Sequence, residues 1–235
     1  MNNTGIKLIS IQVGLPKTLG TSNASDPMDQ EWTTGFFKEP VSGPIWAGKT
    51  NLAGDGQADL RVHGGPDKAI NVYPIEHYAF WQTDLAYKEL HNGAFGENFT
   101  VSGVLETEAC IGDIYELGDA LVQISQPRQP CWKLSRRFRI QDLVARVVHA
   151  GKTGWYFRVL REGYIQAGTE MILVERPYPQ WTIETANNIM RHRKESHVAA
   201  LALADCPALS GSWKATLTRA TSKEVAADTS ARNFQ

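Results

Sequence analysis

Three cysteines in 235 residues, Cys110, Cys131 and Cys206, are too few and too widely spaced for a disulfide framework or for a zinc site built on CxxC pairs. An odd count leaves at least one thiol free. No stretch approaches the roughly 18 uncharged apolar residues of a membrane span, and the polar start lacks the basic-then-apolar pattern of a secretion signal. The expectation is a cytoplasmic chain with no membrane partner. Net charge is also missing. The 24 Lys plus Arg face 25 Asp plus Glu and leave -1, which removes the global electrostatic case for binding a nucleic-acid polymer. There is no HExxH, no GxGxxG opening a helix, no Walker loop and no GxSxG, so the commonest motif-readable enzymes drop out. What is present is enough apolar material, 42% of residues against 21% charged, to bury a real core.

From Lys7 to Val13 the alternation of Ile9, Ile11 and Val13 predicts a strand with that face buried. Residues 18–49 are rich in Gly, Ser, Pro and Thr and read as a long loop interrupted by short strands, a length that points to function. A strand over 69–73 stops at Pro74, and the spacing of Tyr78, Trp81 and Leu85 predicts a helix over 75–90. Residues 111–117 and 120–125 form a hairpin around Gly118-Asp119, with Gly supplying the positive φ of the turn. Ile140, Leu143, Val144, Val147 and Val148 mark an amphipathic helix ended by Gly151. Residues 155–160 and 165–174 read as a closing hairpin around Glu162-Gly163. The fold class is therefore α+β and β-rich over residues 1–176, with two helices inserted.

At Arg176-Pro177-Tyr178-Pro179 the strand alternation ends. Three short helices are expected over 177–221: one capped by Thr182, one over 197–204, and one capped by Ser212 that carries Trp213 and Leu217. About forty residues hold little core by themselves, so this small domain should lean on the first. Residues 222–235 are polar and read as a flexible tail.

The most unusual segment is Ser125-Gln126-Pro127-Arg128-Gln129-Pro130-Cys131-Trp132-Lys133. Two prolines stiffen the backbone and deliver a cysteine just past a strand end. Arg128, Lys133, Arg136, Arg137 and Arg139 surround it with no carboxylate between them. Cations near a thiol favour the thiolate, which is both a nucleophile and a soft-metal ligand; the other reading is a small buried hydrophobe. In Arg61-Val62-His63-Gly64-Gly65-Pro66-Asp67-Lys68, paired glycines let backbone N–H groups converge on an anion to which His63 and Lys68 add donors, or simply make a tight turn. Lys68 and Arg128 each follow a turn-forming proline, where a merely solvated cation could be removed at no cost, and are expected to contribute ligand affinity more than stability. Asn98, after Gly93-Ala94-Phe95-Gly96-Glu97, either bonds a ligand or closes its own turn. His77, His91 and His149 read as solvated or capping residues.

Together with Gly54-Asp55-Gly56-Gln57-Ala58-Asp59 and Ile111-Gly112-Asp113, these segments make residues 5–175 resemble the MOSC family, named for the C-terminal domain of molybdenum-cofactor sulfurase, and in particular its bacterial YiiM-type branch. Residues from about 178 to 221 are similar to the three-helix domain that follows MOSC in this branch. The resemblance implies a β-barrel-like MOSC domain that binds the pterin-dithiolene molybdenum cofactor (molybdopterin), with Cys131 as the protein's sulfur ligand to the metal. It implies that Arg128, Lys133, His63, Gly64, Gly65, Lys68, Asn98 and Ser125 contact the cofactor. The implied reaction is reductive removal of the hydroxyl oxygen from N-hydroxylated compounds such as 6-N-hydroxylaminopurine, a detoxification of base analogues. Electrons would come from a separate reductase or ferredoxin, since the chain has neither a ferredoxin cysteine pattern nor a flavin fingerprint, and the branch leaves room for a homodimer. Where the branch carries Asp after Gly168, this chain has Thr169. Two readings of other classes stand beside this one: a non-catalytic carrier of cofactor or sulfur, and a cysteine hydrolase pairing Cys131 with His63.

Overall fold

Eight strands hydrogen-bond into one mixed sheet that curls into a half-barrel. The computed structural model describes residues 5–61 and 63–221, so the tail assigned to 222–235 lies outside it. In chain order the strands of the first part are β1 (Lys7–Val13), β2 (Lys17–Leu19), β3 (Trp32–Thr34), β4 (Glu39–Pro40), β5 (Ile45–Ala47), β6 (Ile70–Pro74), β7 (Phe99–Ser102), β8 (Ile114–Leu117), β9 (Ala120–Pro127), β10 (Trp155–Arg161), β11 (Gly163–Ile165) and β12 (Ile172–Glu175). The helices are α1 (Glu76–Asp84), α2 (Trp132–Phe138), α3 (Leu143–Ala150), α4 (Ile183–Arg191), α5 (His197–Ala204) and α6 (Gly211–Thr221). Strand order in the main sheet is β12-β8-β9-β10-β6-β7-β1-β4, and only the β6–β7 pair among these is parallel. The parallel pair needs a crossover, and α1 supplies it. No helix among the described residues is long and apolar enough to cross a membrane.

β6 is buried at all five positions because both of its faces are covered. Ile70 and Val72 face the barrel interior with Phe99, Tyr115, Trp155 and Phe157. Tyr73 faces a second cluster, formed by Trp81, Phe95, Leu134, Phe138 and Val147, under α1, α2 and α3. The helix that follows Cys131 is thus locked onto the outside of the same strand whose inner face lines the barrel. The curl is completed by the segment before β12: the Leu8 and Met171 amides donate to the Thr169 and Ile6 carbonyls at 3.0 and 2.8 Å, and β12 then pairs with β8. Thr169 works here through its carbonyl, so its departure from the branch pattern costs this closure nothing.

Several expectations need correction. The bulge between Leu8 and Ser10 in the β1–β7 pairing shifts the alternation, so that Leu8 and Ile11 are buried and Ile9 is exposed. α1 ends at Asp84, where Leu85 caps it and Ala86 turns into the left-handed region at φ 54°, so the stretch to residue 90 is not helical. A third inserted helix, α2, was hidden by its cations; Arg139, at φ 56°, stops it where Gly would be the usual choice. Residues 155–174 do not close as a hairpin: β10 sits between β9 and β6, β11 pairs with β5, and β12 lies at the far edge beside β8. The cap of α6 is Ser210, whose hydroxyl accepts the Trp213 amide at 3.3 Å, while Thr182 caps α4 by accepting the Thr185 amide at 3.0 Å. His77 is no solvated residue: it is buried, and its Nε2 lies 2.7 Å from Glu106 Oε2.

The three C-terminal helices do lean on the barrel. Ile183, Ala186, Leu203, Leu209, Trp213 and Leu217 belong to the same buried cluster as the barrel interior, and the Ile111 and Ile183 amides cross the boundary to the Trp181 and Ala109 carbonyls at 2.8 Å. The boundary at Arg176 is one of chain order rather than of core. Truncation after Arg176 should therefore uncover a contiguous apolar face and lower the melting temperature by about 10 °C or more, or drive aggregation. Thermal unfolding with light scattering checks this; an unchanged transition would show two independent cores.

Candidate functional site

One open cleft gathers the long loop before β4, the loop after β5, the paired-glycine loop before β6 and the segment between β9 and α2. Its geometry begins with the loop 93–98. The Glu97 carboxylate is wholly buried and accepts four hydrogen bonds, from the Tyr78 hydroxyl, the Gly93 amide (2.7 Å), the Thr100 hydroxyl (3.1 Å) and the Phe95 amide (3.1 Å). That fixes the carbonyls of Phe95 and Gly96, which point at two cleft residues. Arg128 Nη2 donates to Phe95 at 2.7 Å, and Asn71 Nδ2 donates to Gly96 at 3.1 Å.

Arg128 is 6% exposed. One face of its guanidinium is spent on the Phe95 carbonyl, while Nη1 is buried with no hydrogen-bond partner. Asn71 Oδ1 is equally buried and unpartnered. An unpaired buried charge is costly, and a guanidinium with a free nitrogen in a cleft is suited to an anion. Cys131 occupies the start of α2 in an extended conformation (φ −119°, ψ 170°) and is half-buried on the cleft wall. Lys133, two residues on, also lines the cleft, and its Nζ donates to the Thr33 carbonyl at 2.9 Å.

The paired glycines are required by backbone geometry. Gly64 and Gly65 have φ of 78° and 82°, and a Cβ on Gly64 would come within 2.7 Å of Gln57 Oε1. His63, Gly64 and Lys68 line the cleft; Gly65 does not, and neither does Ser125, whose hydroxyl instead donates to the carbonyls of Asp67 and Tyr156. Asn98 reaches the cleft, yet both ends of its amide are used by backbone: Oδ1 accepts the Asn71 amide at 3.1 Å and Nδ2 donates to the Gln12 carbonyl at 3.2 Å. The side chain thus ties β6 to β1 and does not close its own turn.

Lys38 and Asn71 are among the cleft residues that the sequence reading missed. Lys38 and Asp55 form a buried ion pair, and Asp55 also accepts the Gly14 amide at 3.0 Å. Asp55 stood in a quoted motif, but Lys38 lies in a Gly- and Pro-rich loop, and only its partner reveals its burial. Asn71 was hidden in an apolar strand; a polar residue at a position where both neighbours are buried was the available signal.

Lys38, Lys68, Arg128 and Lys133 face Asp55 alone on the cleft wall, so the field is strongly positive. It acts on His63. Burial, and then the charges of Lys133, Lys68 and Arg128, push its imidazolium down to about 4. At neutral pH His63 is a neutral donor and acceptor. As the base of a cysteine hydrolase it would have to take up a proton against three cations, and among the described residues no hydrogen bond joins it to Cys131. Burial likewise lowers the Lys38 ammonium, with Asp55 partly offsetting it. Among the described residues no three His, Cys, Asp or Glu side chains converge, so a metal in this cleft would bring most of its ligands with it.

Fold and site together define a barrel-like domain that offers one thiol inside an anion-attracting cleft. The MOSC domain model matches residues 59–172. Uncharacterized protein YflK of Bacillus subtilis is 41% identical over 92% of this chain and 94% of its own length. A protein named Reductase from Gibberella moniliformis is 36% identical over 76% of this chain, which spans only 32% of that protein. The crystal structure of YiiM from Geobacillus stearothermophilus superposes with a TM-score of 0.77 at 39% identity, covering 92% of this chain and all of that one. The chain belongs to the MOSC-domain family, in its YiiM-type branch.

Two outcomes are expected. The His63 pKa, read from imidazole resonances, should lie near 4 in the metal-free protein and rise toward its ordinary 6.5 when pyrophosphate fills the cleft. Because the folded value is depressed below the unfolded one, this residue's part of the stability is intact above pH 6.5 and is lost as pH falls toward 4. Lys38→Met leaves the Asp55 carboxylate buried and unpaired and should cost about 3 to 5 kcal/mol in denaturant unfolding, most of it recovered in Lys38→Met with Asp55→Leu.

Proposed function

We propose that this chain is a molybdenum-cofactor-dependent reductase of N-hydroxylated compounds, including base analogues such as 6-N-hydroxylaminopurine, working in the cytoplasm with a separate reductase or ferredoxin as electron source. The observation that carries this reading is the pairing of a wall thiol, Cys131, with a buried arginine that keeps one guanidinium nitrogen unused. The residues fit the group. A thiolate is a soft ligand suited to molybdenum. Arg128 Nη1, Lys68 and Lys133, all on the cleft wall, would neutralise the cofactor's phosphate, and neutral His63 and Asn71 Oδ1 would offer hydrogen bonds to a heterocycle edge. When bound, the cofactor supplies a two-electron couple and an oxygen-accepting metal.

The net conversion, R–NHOH + 2 e⁻ + 2 H⁺ → R–NH2 + H2O, breaks an N–O bond and consumes two protons. Lys38 Nζ, whose hold on its proton burial weakens and Asp55 partly restores, would release one of them to the departing oxygen and regain it from solvent, so that Asp55 is not left unpaired. Phe36, from the loop before β4, adds an apolar surface to the cleft lining.

Protein isolated from cells that make the cofactor should contain molybdenum, measured by mass spectrometry, and should reduce an N-hydroxylated base when given an electron donor. Cys131→Ser substitutes a hard hydroxyl for a soft, readily ionised ligand; activity should fall by more than about 100-fold while the far-ultraviolet dichroism stays unchanged. Cys110→Ser and Cys206→Ser serve as controls. Full activity of Cys131→Ser would sink the mechanism, and molybdenum bound without turnover would favour the carrier reading.

A further inference from the structure

The three C-terminal helices contribute no residue to the cleft wall. Yet the amino end of α6 holds the two cation-bearing segments that do. Behind the paired-glycine loop, Asp67 is a junction. Its Oδ1 accepts Arg158 Nε and Nη2 at 3.1 and 2.8 Å, and its Oδ2 accepts the Gly211 amide at 3.1 Å. Lys68, on the cleft wall, is the next residue. Behind the cysteine segment, the Ser210 amide donates to the Ser125 carbonyl at 2.9 Å. The Ser210 and Ser212 hydroxyls both donate to Gln126 Oε1, at 2.7 and 3.2 Å. Arg128 lies two residues on. The Ser125 hydroxyl ties the two segments together through the Asp67 carbonyl. Residues 210–212 thus grip, from behind, both strand ends that present Lys68 and Arg128.

The geometry points to a positioning role for the three-helix domain: the amino end of α6 sets the placement of Lys68 and Arg128, and so the anion affinity of a cleft it never touches. This rests on the cleft binding the cofactor's phosphate, as proposed above. Packing of α4, α5 and α6 on the barrel accounts for the helices' stability without requiring polar bonds to these two segments, so the bonds and the packing can be separated.

Gly211 allows the two to be separated. It is the first helical residue of α6, where Pro is tolerated because the amide there has no partner inside the helix. A Cβ at Gly211 meets nothing within 4 Å. Gly211→Pro keeps the helix but removes the N–H that Asp67 accepts and sets the ring Cδ where that hydrogen pointed, so Asp67 Oδ2 is both unbonded and pushed away, whereas Gly211→Ala keeps that N–H. The readout is calorimetric affinity of the metal-free full chain for inorganic pyrophosphate, with the His63 titration as a second probe. Gly211→Pro should weaken pyrophosphate binding about fivefold, and pyrophosphate should raise the His63 pKa less than in wild type, at a melting temperature within about 2 °C of Gly211→Ala. Wild-type affinity in Gly211→Pro overturns the positioning role and leaves the cleft reading standing. Failure of the wild-type chain to bind pyrophosphate overturns the cleft reading and this role with it. Should Gly211→Pro not fold, Ser210→Ala with Ser212→Ala, which frees Gln126, is judged by the same fivefold criterion.

Discussion

The Glu97 carboxylate, sealed from water and surrounded by four donors, is the constraint on which the rest of the site depends. A buried carboxylate persists only when its lone pairs are used, and here two of the donors are amides of the loop that Glu97 itself belongs to. The loop is consequently rigid without regular structure. Its Phe95 carbonyl can then serve as a fixed acceptor for Arg128, and the Phe95 ring, stacked on Tyr73 with centroids 4.6 Å apart, joins the loop to the cluster that seats α2. A carboxylate that never reaches the cleft thereby fixes both the arginine and the helix that begins at the thiol.

The electrostatic design follows from that rigidity. Four cations against one carboxylate would repel one another if their side chains could not swing into solvent. The protein relieves this in three ways. Lys38 is neutralised by Asp55, Lys133 is drawn to the Thr33 carbonyl, and Arg128 spends half its guanidinium on Phe95. His63 stays uncharged. What remains is a positive field with one unsatisfied guanidinium nitrogen, a site whose stability improves when an anion arrives.

Much of this was legible from residue types. The bounds of β1 and of α5, the Gly118 turn, the Thr182 cap and the cleft placement of His63, Gly64, Lys68, Arg128, Cys131 and Lys133 were all written in local chemistry: alternation, capping preference, and cations clustered about a proline-braced cysteine. What was illegible depended on distant partners. A bulge inverted Ile9; β12 chose β8 over its sequence neighbour; Lys38 gained its meaning from Asp55; and Ser125, next to the telling motif, turned inward to hold Asp67. Sequence spacing records which side chains are close along the chain, and each of these residues answers to one that is not.

The helix that starts at Cys131 also carries the long loop before β4. Arg136 stands over the rings of both Trp32 and Trp132, at 5.2 and 5.5 Å, and Arg137 lies over Phe37 at 4.4 Å. The two indoles are 5.7 Å apart, and one belongs to the residue immediately after the thiol. Any shift of Cys131 on taking up a ligand must move Trp132 relative to Trp32 and to the guanidinium over both. The protein therefore contains its own optical gauge of the site: indole emission coupled, through the peptide bond between Cys131 and Trp132, to the thiol on the cleft wall.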